Sequence, residues 1–429
     1  MKKILITILA FNCSLAFSQY SESDKRFILE TFAELYELCT IDDSQMWGIN
    51  LDLPCMFIDK ETRMIIANKP DKEGLLVREG KIYSGIYSEN KALGSSFTVY
   101  GGTVYAYVTH PFLFPESYLK VQLMHEIFHI IQDSLKLNPP QLFFKNAHLD
   151  DINARIYMKL EWLALEKALT ANSAEEKKEH IAYALKFRSK RRSMFENESK
   201  EENYFELSEG MAEYTGHLIT SKTFDDYINS IHYTAKTIIP LDYYATTFAY
   251  YSGCLYGGLL YTYDKYWNKT LNLSDDLGEI LLHKSGIFEL DTLIYNDFID
   301  INYNIADIKR EEIEKRDKKE KLILDYKHKF LVDTVLILKL EKWEMQMFPT
   351  GIMPLDSLGM VHQKINLFDN WGKLTVSDGG CLLNGNEASV PAKNIKSERK
   401  RIYTENWELI IDDNWTIEIN NGNYILQKK

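Results

Sequence analysis

The chain has 429 residues, of which 45% are hydrophobic and 13% aromatic, and it carries a formal net charge of −12. This length and composition are typical of a globular protein with two or three domains, and they exclude collagen-like and low-complexity chains. The negative charge suits neither nucleic acid nor an anionic membrane surface, because both repel an acidic protein. We therefore expect no nucleic-acid partner.

The N-terminus has the pattern of a secretory signal peptide over residues 1–18. Two lysines precede an apolar run from Ile4 to Ala10, and Ala16-Phe17-Ser18 fits a cleavage site with small residues. The apolar run is too short to span a bilayer, and no later segment is long and apolar enough to do so. We expect export to the periplasm or the extracellular space, with no transmembrane segment.

The cysteines that follow residue 18 are widely spaced and include no Cys-x-x-Cys pair. They therefore predict neither a zinc knuckle nor a dense disulfide framework. Cys39 and Cys55 could pair in an oxidising compartment, and the sequence alone leaves this open.

Hydrophobic periodicity predicts a helix over residues 24–39, followed by strands between residues 54 and 108. β-branched and aromatic runs lie on both sides of Gly101-Gly102, which is typical of a β-hairpin. From about residue 116 to 290 the apolar spacing is mostly helical. The N-terminal half of the chain therefore changes from β-rich to helical before its middle.

A charge-dense stretch within residues 301–330 predicts a helical linker or an exposed strut. Beyond it, short apolar runs alternate with Gly-containing turns, which predicts a small β domain over residues 331–429. We therefore expect an α+β chain. Its N-terminal β-rich part, residues 19–115, leads into a mainly helical domain over residues 116–300, and the linker and the β domain follow.

The strongest chemical signal is the segment His125-Glu126-Ile127-Phe128-His129, which lies in an apolar run. Residues i and i+4 of a helix share one face, so both imidazoles can reach one metal ion, for which Zn²⁺ is the expected choice. Glu126 lies about 100° around the helix from His125, where it can take a proton from the metal's water without being a ligand. The alternative is a helix whose histidines are merely packed or solvated.

A catalytic zinc site needs a third protein ligand and an open position for water. The best candidate segment is Glu209-Gly210-Met211-Ala212-Glu213-Tyr214, which has a helical pattern. A plain amphipathic helix with a solvated acidic side is the alternative for this segment. Two other candidate ligands are His148 and Glu161, although a lone helical acid such as Glu161 is more often paired with an arginine.

These two motifs, in this order and after a strand pair, resemble the gluzincin clan of zinc metallopeptidases, which includes thermolysin-like and aminopeptidase-like enzymes. In that clan a glutamate in a Glu-Gly-x-Ala-x-Tyr setting completes the zinc site. The resemblance therefore implies His125, His129 and Glu209 as zinc ligands and Glu126 as the general base. It also implies that Glu213 accepts a hydrogen bond from a ligand histidine.

The resemblance covers about residues 95–260 and implies a zincin fold for the helical domain and a peptide or protein substrate. Gluzincins often stabilise the oxyanion with a downstream tyrosine or histidine, for which Tyr250 is the first candidate here and Tyr251 the second. In the clan, the strand before the first zinc helix pairs with extended substrate. That strand would be Thr103–Val108.

The chain also departs from the clan. The stretch between His129 and Glu209 is longer than in aminopeptidases, and the Gly-x-Met-Glu-Asn segment that binds their substrate's amine is missing. The missing segment favours an endopeptidase or an unusual specificity. The main alternative function is an exported binding protein built on a peptidase-like fold, and another is a zinc hydrolase that acts on esters or glycans. The presence of Glu126 favours an enzyme.

Overall fold

A computed structural model describes residues 20–89, 91, 93–112, 115–139, 146–195, 198–287, 302–347 and 351–429. The predicted signal peptide, residues 1–18, lies outside this part of the chain. The predicted α+β class is confirmed, with an N-terminal β segment, a helical part and a C-terminal β domain. Among the described helices, none combines the length and the apolar character that crossing a membrane requires.

The N-terminal part consists of a helix and a six-stranded mixed sheet. Their bounds are α1 Glu22–Asp42, β1 Cys55–Asp59, β2 Met64–Ala67, β3 Val77–Glu79, β4 Ile82–Ile86, β5 Ser95–Tyr100 and β6 Thr103–His110. The strand order is β3-β4-β2-β1-β6-β5, and β6 is parallel to β1 but antiparallel to β5. The hairpin predicted at Gly101-Gly102 is present, and both glycines have positive φ, as its tight turn requires.

The position of β6 corrects one expectation. Strand β5 pairs with residues 103–108 of β6, and β1 pairs with its residues 106–110 on the other side. The prediction that Thr103–Val108 pairs with substrate is therefore wrong for residues 106–108, because they have strand neighbours on both sides. The strand at this edge of the sheet is β5, Ser95–Tyr100, and β3 lies at the opposite edge.

A helical part follows the sheet and packs against it. The described helices are α2 Glu116–Leu135, α3 Ile152–Leu169, α4 Ala174–Arg192, α5 Ser199–Phe205, α6 Met211–Thr220, α7 Phe224–Ile238, α8 Phe248–Tyr263, α9 Leu277–Ser285 and α10 Ile305–Leu331. A π-helical turn, Glu206–Gly210, joins α5 to α6. Phe57 and Val108 of the sheet share one core with the helices. Both α3 and α4 lie between the two sequence motifs.

Glycines allow the helices around the motifs to approach closely. A Cβ atom on Gly216 of α6 would lie 2.5 Å from the carbonyl oxygen of Val121 in α2. A Cβ atom on Gly253 of α8 would overlap the backbone of Gly210 in the π-helical turn. Since side chains larger than hydrogen would force these backbones apart, the glycines fix the spacing between the two motifs.

The charged helix expected within residues 301–330 is present as α10. Part of it packs against the helical part of the protein, so it is not an exposed strut over its whole length. Glu312 of α10 is buried, and its carboxylate binds Arg155 and Lys159 of α3. The Nζ atom of Lys315 donates to the carbonyl oxygen of Pro240 at 2.8 Å. These contacts attach α10 to the helical part, because a buried carboxylate requires cationic partners.

The C-terminal domain is a sandwich of two sheets. Its strands are β7 Val335–Lys339, β8 Glu344–Met347, β9 Ile352–Pro354, β10 Met360–His362, β11 Ile365–Asp369, β12 Gly372–Val376, β13 Cys381–Asn384, β14 Glu387–Pro391, β15 Lys396–Glu398, β16 Arg401–Tyr403, β17 Trp407–Ile411, β18 Trp415–Asn420 and β19 Asn423–Lys428. The strand orders are β18-β19-β7-β14-β13-β10-β9 and β15-β16-β17-β12-β11-β8. Leu336, from the first sheet, and Leu374, from the second, meet in one core, separate from that of the helices.

The sequence left the pairing of Cys39 and Cys55 open. In the structure both thiols are free and buried, the first in α1 and the second in β1. Burial raises the pKa of Cys39 to about 12, so this thiol stays protonated near neutral pH.

We expect Gly216→Ala to lower the free energy of unfolding by about 1–3 kcal/mol, because the added methyl group must push α6 away from α2. Urea unfolding followed by circular dichroism measures this change. Gly94→Ala is the matched control, since nothing lies within 4 Å of a Cβ atom at that position. Equal unfolding free energies for the two variants would contradict the close packing of α2 and α6.

Candidate metal centre

Helix α2 positions the first motif. The helix follows Pro115 and ends before Lys136, whose left-handed conformation stops it. Its buried face carries apolar side chains such as Leu123 and Phe128, and His125 lies among them with 3% of its surface exposed. Because His125 and His129 are one turn apart, their rings approach to 4.9 Å between centroids.

The two imidazoles and Glu209 converge on one point. The Nε2 atoms of His125 and His129 are 3.1 Å apart, and Oε2 of Glu209 lies 3.4 Å from the first and 3.6 Å from the second. Ligand atoms at about 2.0–2.1 Å from a tetrahedral zinc ion are roughly 3.3 Å from one another. The observed separations therefore fit one such ion. In the described part of the chain, these three residues are the group with metal-binding geometry.

Hydrogen bonds behind the rings fix their orientation. His125 Nδ1 lies 2.9 Å from Oε2 of Glu213, and His129 Nδ1 lies 2.9 Å from Oε1 of Gln132. Both partners are acceptors, so each Nδ1 atom carries the hydrogen. Each Nε2 atom of the neutral rings then directs a lone pair toward the centre, and a cation there would satisfy both lone pairs together with Glu209.

Glu213 accepts a hydrogen bond from His125, as predicted, and its carboxylate is buried. Its Oε1 atom accepts a hydrogen bond from Thr234 Oγ1 at 3.0 Å and another from the Tyr118 hydroxyl. Burial alone would raise the pKa of Glu213, but hydrogen bonds with His125 and His217 hold it below its ordinary value. The carboxylate therefore stays charged and keeps accepting from His125.

Gln132 is a positioning residue that sequence reasoning missed. Its Nε2 atom donates to the carbonyl oxygen of Leu137 at 2.9 Å and to Ser208 Oγ at 3.1 Å, while its Oε1 atom faces His129. One buried amide thus connects His129 to the residue that precedes Glu209. The available signal was a polar side chain within the apolar run after His129.

The π-helical turn Glu206–Gly210 carries the third member of the cluster. At its first position, Glu206 is fully buried and accepts two hydrogen bonds from Arg188, at 2.8 and 2.6 Å. This ion pair anchors the turn, and Glu209 projects from it toward the histidines. Single π-helical turns within helices are frequent at functional sites. The alternative of a solvated acidic face is wrong, because Glu206 and Glu213 are buried.

The two other candidate ligands lie in a separate buried ion network. His148 Nε2 is 2.7 Å from Oε1 of Glu202. Glu161 accepts hydrogen bonds from Arg191 at 2.8 Å and from Arg188 at 3.2 Å, which is the arginine pairing considered for it. Neither side chain belongs to the group around His125 and His129.

Glu126 lies beside the cluster but outside the ligand group. Only 6% of its surface is exposed, and its Oε1 atom accepts a hydrogen bond from Gln122 Nε2 at 3.0 Å. Burial raises the pKa of Glu126 above its ordinary value, and the nearby imidazoles of His125 and His129 only partly offset this rise. A carboxylate with a raised pKa is a stronger base than an exposed one.

Tyr250 and Tyr251 have different surroundings. The ring of Tyr250 stacks on His125, with 5.6 Å between centroids and 5° between planes, and its hydroxyl interacts with the carboxylate of Glu209. Tyr251 instead packs against Trp162, and its hydroxyl finds no hydrogen-bond partner among the described residues. The first candidate therefore lies at the cluster and the second in the core.

A groove of about 840 Å³ lies apart from the cluster. It runs between α1 and the ends of α6 and α8, with Leu38, Phe224 and Tyr261 in its wall. None of the three cluster residues lines it. The candidate site is therefore identified by the convergence of its side chains, and it does not coincide with this groove.

Comparisons with protein-family models, with curated proteins and with solved structures found no match to this chain. No relative therefore contributes to the assignment of the cluster. Its chemistry is inferred from the geometry of its side chains and from the motifs that supply them.

We expect Gln132→Leu to weaken zinc binding about 10- to 100-fold, the usual cost of losing a hydrogen bond that orients a ligand histidine. Competition with a zinc-sensitive dye measures the affinity. Asp133→Asn is the control, because it changes the exposed neighbouring residue on the same helix. An unchanged affinity in Gln132→Leu would show that His129 needs no such support.

Proposed function

We propose that this protein is an exported, zinc-dependent metallopeptidase of the gluzincin type, with a zincin fold in its helical part. His125, His129 and Glu209 would hold Zn²⁺. The observation that supports this most is the convergence of two Nε2 atoms and one carboxylate oxygen at 3.1 to 3.6 Å from each other. A protein that only binds a partner has no need of the buried carboxylate of Glu126 beside this group.

Zinc, when bound, would lower the pKa of a water molecule toward about 7 and so supply a nucleophile for the peptide carbonyl. Glu126 acts as the general base, because its carboxylate is buried next to the two histidines and has a raised pKa. It takes a proton from the attacking water and delivers it to the leaving amine. Proton transfer through one carboxylate serves both halves of the reaction.

Tyr250 is the proposed donor to the negative charge that develops on the carbonyl oxygen. Burial raises the pKa of Tyr250 well above its ordinary value, so its hydroxyl keeps its proton near neutral pH. A protonated phenol beside the cluster can donate a hydrogen bond to the tetrahedral intermediate.

The edge strand β5 replaces β6 as the proposed support for substrate. Among the described strands only β6 pairs with it, so its other edge can hydrogen-bond an extended peptide backbone. The ring of Phe97 in β5 lies 6.5 Å from that of His129. A peptide bound along β5 would therefore pass close to the cluster.

We expect Glu126→Gln to retain about one zinc ion per chain but to lower kcat about 10²- to 10⁴-fold, because the amide cannot take up a proton. Hydrolysis of a quenched-fluorescent peptide library, together with metal analysis, separates the two effects. Glu116→Gln, an exposed change in the first turn of the same helix, should leave both unchanged. Wild-type rates in zinc-loaded Glu126→Gln would overturn the proposed role.

A second pair of variants tests the oxyanion donor. Tyr250→Phe should lower kcat about 10²- to 10³-fold with little change in KM, since the hydroxyl acts on the intermediate rather than on the bound substrate. Tyr251→Phe removes a hydroxyl that has no partner among the described residues, so its kinetics should match the wild type. Equal rates for the two variants would contradict the assignment of Tyr250.

A further inference from the structure

The hairpin of β5 and β6 presents apolar side chains on the side of the sheet that faces the helices. Phe97 is paired with Ala106, and Val99 with Val104, so all four side chains point to the same face. Ala106 belongs to the core shared with the helices, which identifies that face. We call Phe97, Val99 and Val104 the apolar strip.

The apolar strip is open despite facing the helices. The exposed fractions are 47% for Phe97, 68% for Val99 and 38% for Val104. Edge strands usually carry charges or prolines that prevent pairing with other chains, yet β5, Ser95–Tyr100, contains neither. An exposed apolar surface next to a free strand edge indicates a binding site for another strand.

The apolar strip is continuous with the metal cluster, because Phe97 at one end of it approaches His129. Phe97 and Val99 are two residues apart and so lie about 7 Å from each other along the strand. Side chains of an extended peptide that point to one face repeat at the same interval. The spacing therefore matches alternate residues of a bound peptide.

We propose that the apolar strip selects substrates with apolar side chains at alternate positions of an extended segment beside the scissile bond. This deepens the proposed function and, for turnover, rests on it. A second copy of the chain suits the apolar strip less well than a peptide does. Three partly exposed side chains offer far less surface than the roughly 800 Å² per partner of a stable interface.

Peptide binding can be tested separately from hydrolysis. Zinc-loaded Glu126→Gln would be titrated into fluorescein-labelled extended peptides that carry either Leu or Ser at alternate positions, with fluorescence anisotropy as the readout. We expect the Leu peptides to bind about 10-fold more tightly or better, as apolar contacts at a binding site usually allow. In Glu126→Gln that also carries Val99→Thr and Val104→Thr, this preference should fall to near unity.

Val77→Thr, added to the same zinc-loaded protein, is the matched control. Val77 is 65% exposed on β3, at the opposite edge of the same sheet, so it tests general surface hydrophobicity. This variant should keep the full preference for Leu peptides. Equal preference in the two sets of valine variants would overturn the role of the apolar strip.

The outcomes distinguish this inference from the proposed function. Cleavage of Leu and Ser peptides at equal rates by the wild type would overturn the apolar strip and leave the peptidase in place. Preferential binding that depends on the apolar strip, without turnover in the wild type, would support the apolar strip and count against hydrolysis. Dimers in sedimentation that Val99→Lys abolishes, with no peptide preference, would assign the strip to a second copy and overturn the proposal.

Discussion

The convergence of the His125 and His129 imidazoles with the carboxylates of Glu209 and Glu213 is the interaction on which the candidate site depends. Burial alone would lower the pKa of His125, but hydrogen bonds with Glu209 and Glu213 raise it well above its ordinary value. For His129, burial likewise opposes charge and Glu209 favours it, with a net rise in pKa. The carboxylates thus give the two Nε2 atoms surroundings that favour a cation.

Such a cluster needs rigid support, because buried ionic groups cost free energy whenever their partners move apart. Gly216 lets α6 approach α2 closely enough for Glu213 to reach His125. Gln132 then connects His129 to the π-helical turn, and the ion pair between Arg188 and Glu206 attaches that turn to α4. The residues of the cluster therefore depend on contacts that span sequence separations far beyond one helical turn.

The sequence predicts those features that depend on residues close together in the chain. Helical spacing placed His125 and His129 on one face of a helix, and glycines marked the turn between β5 and β6. The motif around Glu209 pointed to the second helix, but neither its π-helical turn nor the role of Gln132 follows from spacing, because both depend on tertiary contacts. Strand order likewise depends on pairing between distant segments, which is why β6 was mistaken for the strand with a free edge.

Three carboxylates, those of Glu126, Glu209 and Glu213, lie close to the two imidazoles, and the pKa values of the first two are shifted in opposite directions. Burial opposes the charge of Glu209, yet His129 and His125 hold its pKa well below the ordinary value, so it is an anion suited to a metal. Glu126 is 6% exposed, less than the 20% of the Glu209 side chain, and its burial raises its pKa. Carboxylates whose pKa values are driven apart are suited to different tasks. The low-pKa group suits permanent coordination, and the high-pKa group suits the repeated uptake and release of a proton.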